Sequence, residues 1–336
     1  MKMTLLALSI PLLALLNLML GSVPIPMDEV VGILAGNGSD NEVFTNIVLR
    51  TRLPQTLTAI ACGAGLAVAG LEMQTVFHNP LAGPSVLGIS SAASLGVAFV
   101  VLLNGTIGGG LMSRFGLMGN TALTVAAVSG AMAAMALIVW LSQRVHGRAT
   151  LLIVGVLIGY IASAIIGVLK YFSSEEDIRS YVIWGLGSFA RVTGGQVWVF
   201  VALMAVLCPL SMLLAKPLNT LLLGERYAAN LGLNIRRARM LIIASAGILT
   251  AITTAYCGPI MFLGLAVPHI CRGLFNTDDH RTLLPATLLA GASLALVCNL
   301  IARLPGMEGA LPINSVTALI GAPIALTILL RRNERR

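Results

Sequence analysis

The sequence predicts an all-α polytopic membrane protein of about ten transmembrane helices, with both termini cytoplasmic. Two observations carry this. Only 10% of the 336 residues are charged and 57% are hydrophobic, whereas a soluble domain carries roughly 25% charge. Charge is too scarce to cover a water-facing surface, so lipid must be the solvent for most of the chain. The apolar residues also fall in runs close to the roughly 20 residues that one helical crossing needs. Residues 1–336 therefore read as a single transmembrane domain, with mean hydropathy +0.93.

The spans are placed at 3–21, 54–76, 85–103, 121–142, 150–171, 194–215, 237–256, 258–274, 283–303 and 314–331. The first follows Lys2. It is longer than a signal-peptide core and no A-x-A site follows it, so it reads as a membrane helix. Pro-containing breaks at Pro54 and at Asn79-Pro80 bracket the second span, and the second break opens into the third. The fifth carries Gly155, Gly159, Ser163 and Gly167 at four-residue spacing. Such a stripe admits a close backbone, either within one subunit or at a subunit interface or pore wall. Pro268 interrupts the eighth, which is expected to be short or broken and buried by protein.

Three connections have content. Residues 22–53 hold the turn signal Asn37-Gly38-Ser39-Asp40. Residues 172–193 start with Ser173-Ser174-Glu175-Glu176, a helix-capping pattern, and place Trp184 and Phe189 at interfacial depth. Residues 216–236 suggest two short amphipathic helices, hinged at Gly224 and stopped at Gly232.

The net charge of +8 reflects basic residues flanking apolar runs, which indicates orientation in a membrane rather than nucleic-acid binding. With the N-terminus inside, Lys2, Arg144, Arg148, Lys216, Arg226, Arg236, Arg237, Arg239, Arg272 and Arg281 lie inside, with the C-terminal arginines. Arg50, Arg52, Arg114, Lys170, Arg179, Arg191 and Arg303 lie outside. This is the positive-inside asymmetry of a multi-pass protein of the cell (inner or plasma) membrane, with lipid as its surroundings.

Catalytic signatures are absent. The lysines are Lys2, Lys170 and Lys216, and none completes the Gly-Lys-Ser/Thr of an ATP-binding loop. His78, His146, His269 and His280 form no H-E-x-x-H, and no serine lies in G-x-S-x-G. The five cysteines are scattered without metal-ligand spacing and read as apolar core residues. No enzyme, cofactor or metal site is expected. Glu72 is the unusual residue. An acid within the second span, near its inner end, either lines a pathway or snorkels to the interface.

Five segments together resemble the FecCD-type permeases, the membrane subunits of ABC importers for iron-siderophores, haem and vitamin B12. They are Arg52-Leu53-Pro54; Asn79-Pro80-Leu81-Ala82-Gly83-Pro84 through Gly88; and Leu223-Gly224-Glu225 with Ala228, Leu231 and Gly232. The other two are Gly258 through Arg272, with Pro268-His269, and Leu311-Pro312-Ile313-Asn314 through Pro323. The resemblance covers nearly the whole chain. It implies a homodimer with two cytoplasmic ABC ATPase subunits and an external substrate-binding protein, moving an iron complex or cobalamin inward, the iron complex being the commoner cargo.

The resemblance also implies residue roles. Leu223, Gly224, Glu225, Arg226, Ala228, Leu231 and Gly232 would couple to the ATPase. Asn79, Pro80, Leu81, Arg148 and Ala149 would form the cytoplasmic gate. Arg52 and Arg303 would meet carboxylates of the binding protein, with Arg50 grouped beside them as a candidate for the same docking face; anchoring of helix ends at the membrane interface is the other reading of these arginines. The chain departs from the pattern at Gln55 (for Arg), Arg148 (for a small polar residue), Ala310 (for Glu) and Asn314 (for Gly). Asn tolerates positive φ, so a turn at Asn314 is expected to survive. The competing class is an ion-coupled secondary transporter, for which Glu72 is the one candidate coupling acid.

Overall fold

The computed structural model describes residues 1–36, 41–103, 119–144, 148–303 and 310–333. The turn Asn37–Asp40, Arg114 and His146 lie outside the described residues, as do the side chains of Arg148 and Ala149.

The described chain is helical, and each helix follows from its apolar run and its breaks. The order is α1 (Lys2–Met19), α2 (Met27–Leu34), α3 (Glu42–Ile47), a π-helical turn (Val48–Arg52) and α4 (Leu53–Phe77). Next come a 3-10 turn (Pro84–Leu87), α5 (Ile89–Leu102), α6 (Gly119–Arg144), α7 (Arg148–Tyr171) and α8 (Glu175–Gly185). Then follow α9 (Gly195–Met212), α10 (Ala215–Leu222), α11 (Glu225–Asn230), α12 (Ile235–Cys257), α13 (Leu263–Phe275), α14 (His280–Ala302) and α15 (Ile313–Asn333). Among the described residues, seven helices are long and apolar enough to cross a membrane, and α5, α13 and the Ile313–Ile324 part of α15 are shorter apolar helices. Each predicted span falls on one of these ten helices.

α4 is the centre. It packs on α14, α12, α13 and α9, and its residues from Ala61 to Phe77 are all buried. Its small residues make that possible. A Cβ on Gly63 would lie 2.3 Å from the Gly291 carbonyl oxygen, and one on Gly70 would lie 1.7 Å from that of Gly264. Backbones this close leave no room for a side chain. The helices around this centre are apolar on the outside: Ile161 on α7 and Trp198 and Val206 on α9 are exposed.

The breaks have physical causes. α13 starts after Phe262, which has φ 68, and contains Pro268. Asn314 holds this break together. Its Oδ1 accepts from Met261 N–H at 3.0 Å and its Nδ2 donates to the Pro259 carbonyl at 2.6 Å. The expected left-handed turn at Asn314 does not occur. Asn314 lies in the first turn of α15, and the positive-φ non-glycine residues among those described are His78, Phe262 and Asn276. Its side-chain amide bridges two segments.

In the 172–193 connection, Ser174 caps α8 as expected, with Asp177 N–H donating to its Oγ at 3.2 Å. Trp184 and Phe189 are both buried in the protein: α8 packs against α5, and the turn that carries Phe189 packs against α4. Gly155 packs against the 3-10 turn before α5, its Cβ position 2.7 Å from Leu87 Cα, so this part of the small-residue stripe serves packing within the chain.

Two faces are distinguishable. Lys2 Nζ donates to the Leu274 carbonyl at 2.7 Å, which places the N-terminus beside the α13–α14 turn. Asn219 of α10 bonds Asp279 and His280 in the same region, so the 216–236 loop shares that face. The C-terminal end of α1, Arg52 and Arg303 lie together at the other face.

Candidate functional site

The 216–236 loop forms α10 and α11 with glycines where they were expected. Gly224 has φ 96 and Gly232 has φ 83, a region open to glycine and strained for other residues. Leu218, Leu221 and Ala228 are buried and anchor the two helices. Leu222, Leu223, Tyr227 and Leu231 are exposed, with Arg226 beside them. Contiguous exposed apolar side chains mark an interaction surface. Glu225 is held by an ion pair with Arg239 of α12, which fixes α11 against the bundle.

Behind the loop lies a polar network. Asn219 Nδ2 donates to Asp279 Oδ1, and its own Oδ1 accepts from His280 N–H at 2.8 Å. His280 Nδ1 lies 2.8 Å from the same oxygen, and His280 Nε2 lies 2.7 Å from Thr75 Oγ1 in the last turn of α4. The Asp279 carboxyl is held below its ordinary range, first by the Arg281 N–H and then by Asn219. Next to Thr75, Gln74 accepts from Arg272 at 2.5 Å and donates to the Leu265 carbonyl at 3.1 Å. These links escaped the sequence reading. Their members lie far apart in the chain, and an Asp-His at a helix start signals only a cap.

The segment after α4 turns at once. His78 has φ 48, and Asn79 Oδ1 accepts from Leu81 N–H at 3.0 Å, closing an Asx turn ahead of the half-buried Pro80 and Leu81. α7 begins at Arg148. The proposed gate residues Asn79, Pro80 and Leu81 thus follow directly on the turn that carries Thr75 and Gln74.

Glu72 neither snorkels nor meets water in this arrangement. It is 0% exposed, and Ser245 Oγ donates to its Oε1 at 2.9 Å, while no partner is found for Oε2 among the described residues. α4 is enclosed by other helices, so its side chain has no route to the interface.

The three outer arginines separate. Arg50 is exposed. Arg52 is only 4% exposed, and its guanidinium donates to the carbonyls of Leu18, Met19 and Val23. Arg303 donates to Asn17 Oδ1 at 3.0 Å and to the Asn17 carbonyl at 3.2 Å. Both cap carbonyls at the C-terminal end of α1, where a cation is favoured. Arg52 is thus turned inward rather than presented to a partner, whereas Arg303 stays half-exposed. Gln55, at a position of departure, donates to Asn299 Oδ1 at 2.9 Å, and Asn299 donates to Asn17 Oδ1 at 2.8 Å.

The description "FecCD transport family" matches residues 8–331. The chain is similar to the vitamin B12 import system permease protein BtuC of Klebsiella pneumoniae, at 39% identity over 288 residues, 86% of this chain and 83% of the relative. It is 38% identical to the BtuC of Escherichia coli O6:H1 over 284 residues, 84% of this chain and 83% of that one. Among solved structures, it resembles a metal-chelate type ABC transporter in an inward-facing conformation. The TM-score is 0.84 at 28% identity, covering 98% of this chain and 99% of the other.

Proposed function

We propose a place in an importer's transport cycle for this chain, which belongs to the FecCD transport family. It is a multi-pass membrane permease of the ABC importer type. Beyond that, our reading is a homodimer that binds two cytoplasmic ATPase subunits through the 216–236 loops and receives cargo from an external binding protein. Both termini are cytoplasmic in this reading. The observation that carries it is the exposed apolar surface of Leu223, just before the positive-φ Gly224, and of Tyr227 and Leu231, between Gly224 and the positive-φ Gly232.

ATP closes the ATPase pair. The loops follow, and the helix ends at Asn79–Leu81 and Arg148–Ala149 open or shut the inner gate. The chain needs no nucleotide site of its own, in keeping with lysines that complete no phosphate-binding loop. Glu72 supports an ion-coupled alternative poorly. A coupling acid needs access to water from one side at a time, and this one has none in the arrangement described.

The cargo we propose is a large metal chelate. Likeness to vitamin B12 permeases sets cobalamin beside the iron complex, the commoner cargo of the resembled family. The test is uptake of radiolabelled cyanocobalamin, haemin and a ferric siderophore by cells carrying or lacking the gene. Loss of uptake of one of them supports the reading; unchanged uptake of all three removes it.

A further inference from the structure

We propose that His280 is a positioning residue that carries movement of the cytoplasmic loop to the inner end of α4. The proposal rests on the reading of 216–236 as the ATPase-coupling loop. His280 is 0% exposed at the first position of α14, between α10 and the last turn of α4.

The protonation pattern follows from the partners. A carboxylate only accepts, so the bond from Asn219 Nδ2 to Asp279 Oδ1 fixes the amide orientation. Asn219 Oδ1 then faces His280 and accepts twice, from the backbone N–H and from Nδ1–H, each at 2.8 Å. A neutral ring with its proton on Nδ1 has a bare Nε2 at 2.7 Å from Thr75 Oγ1, whose single hydroxyl proton is shared between that nitrogen and the Leu71 carbonyl at 2.9 Å. The chain of bonds runs Asp279, Asn219, His280, Thr75 without a gap. A buried polar group that loses its partner costs free energy, so these four move together or not at all.

Position gives the chain its consequence. Thr75 stands three residues before His78, whose φ of 48 starts the turn into Asn79-Pro80-Leu81. Gln74 ties the same turn of α4 to Arg272 and Leu265 of α13. The end of α4 is therefore held on α13 and α14 at once, and α10 reaches it through His280. α10 also packs on α4 and α14. Packing lets helices slide, whereas the hydrogen bonds fix their register.

The test uses the permease with its cognate ATPase in lipid nanodiscs and a reporter, Leu81→Cys, labelled with a membrane-impermeant thiol reagent. The five native cysteines are all buried, so they give little background. The reading is the ratio of labelling rates without nucleotide and with ATP plus vanadate. Thr75→Val and His280→Ala should each pull that ratio toward one, roughly threefold or more, while ATP hydrolysis continues. The double variant should do no more than either alone, and Thr75→Ser should restore the ratio. A merely structural role would lower protein yield and leave the ratio as it was. Should His280→Ala fail to insert, Thr75→Val decides alone. If both variants keep the full ratio of the parent, His280 transmits nothing and the proposal is overturned. If the reporter thiol in the parent shows no nucleotide dependence at all, the coupling reading itself falls, and the proposal with it.

Discussion

Arg52 Nη1 donates to the Leu18 carbonyl at 2.6 Å, so the start of α4 closes the C-terminal end of α1. The guanidinium also reaches Met19 at 2.8 Å and Val23. Arg52→Gln keeps much of the side chain's length and loses the charge. A hydrogen bond to a charged group contributes about 1.5–3 kcal/mol, so thermal unfolding in detergent should move to lower temperature. Arg50→Glu, at an exposed position, should leave unfolding unchanged and weaken binding-protein association at low salt. An Arg52→Gln protein as stable as wild type would show that the clamp adds nothing.

Gly70 and Gly264 touch through their backbones. Gly70→Ala would put a Cβ 1.7 Å from the Gly264 carbonyl oxygen, and Gly264→Ala would put one 2.7 Å from that of Leu66. Overpacking costs about 1–3 kcal/mol or more where the backbone cannot yield. Both variants should show poor recovery as monodisperse protein by size-exclusion chromatography. Gly167→Ala is the control, because nothing lies within 4 Å of its Cβ position. Equal recovery of all three would mean that α4 and α13 part more easily than their geometry indicates.

Gly224 and Gly232 differ from this pair. Nothing lies within 4 Å of either Cβ position, so a side chain there is excluded by backbone conformation and not by a neighbour. Gly232→Val should therefore insert normally and lose ATPase co-purification or uptake. The strain expected for a β-branched residue at positive φ is about 1–3 kcal/mol. Normal assembly and transport would reduce α10 and α11 to a passive surface feature.

The span pattern was legible because run length and charge scarcity are properties of contiguous sequence. The breaks at Asn79-Pro80, Gly224 and Gly232 were legible because Pro and Gly carry their backbone preference with them. What was missed depends on distant partners. Arg52 looked like an outward cation, since nothing near it in sequence reveals the carbonyls of α1. Asn314 looked like a substitute for Gly, while its amide in fact joins Pro259 and Met261. Trp184 carried the amphipathic signature of an interface residue, and packing of α8 on the bundle buried it. His280 was passed over because its partners Asn219 and Thr75 lie 61 and 205 residues away.

Topology can be read directly. Lys2 is bonded to the Leu274 carbonyl, and the 216–236 loop lies on that same face. Reporter fusions after Arg336 and within 224–232 should both read cytoplasmic, and one at Ser173-Ser174 should read external. A C-terminal fusion that reads external would require an odd number of crossings.

Energy coupling is the measurement that bears most directly on the account. Permease reconstituted with its cognate ATPase and binding protein should take up the cargo only when ATP is present on the side of the 216–236 loop. Ionophores that collapse proton and sodium gradients should leave that uptake intact, and permease alone should neither transport cargo nor hydrolyse ATP. Gradient-driven uptake by the permease alone, abolished in Glu72→Gln, would contradict the account and make this chain an ion-coupled transporter.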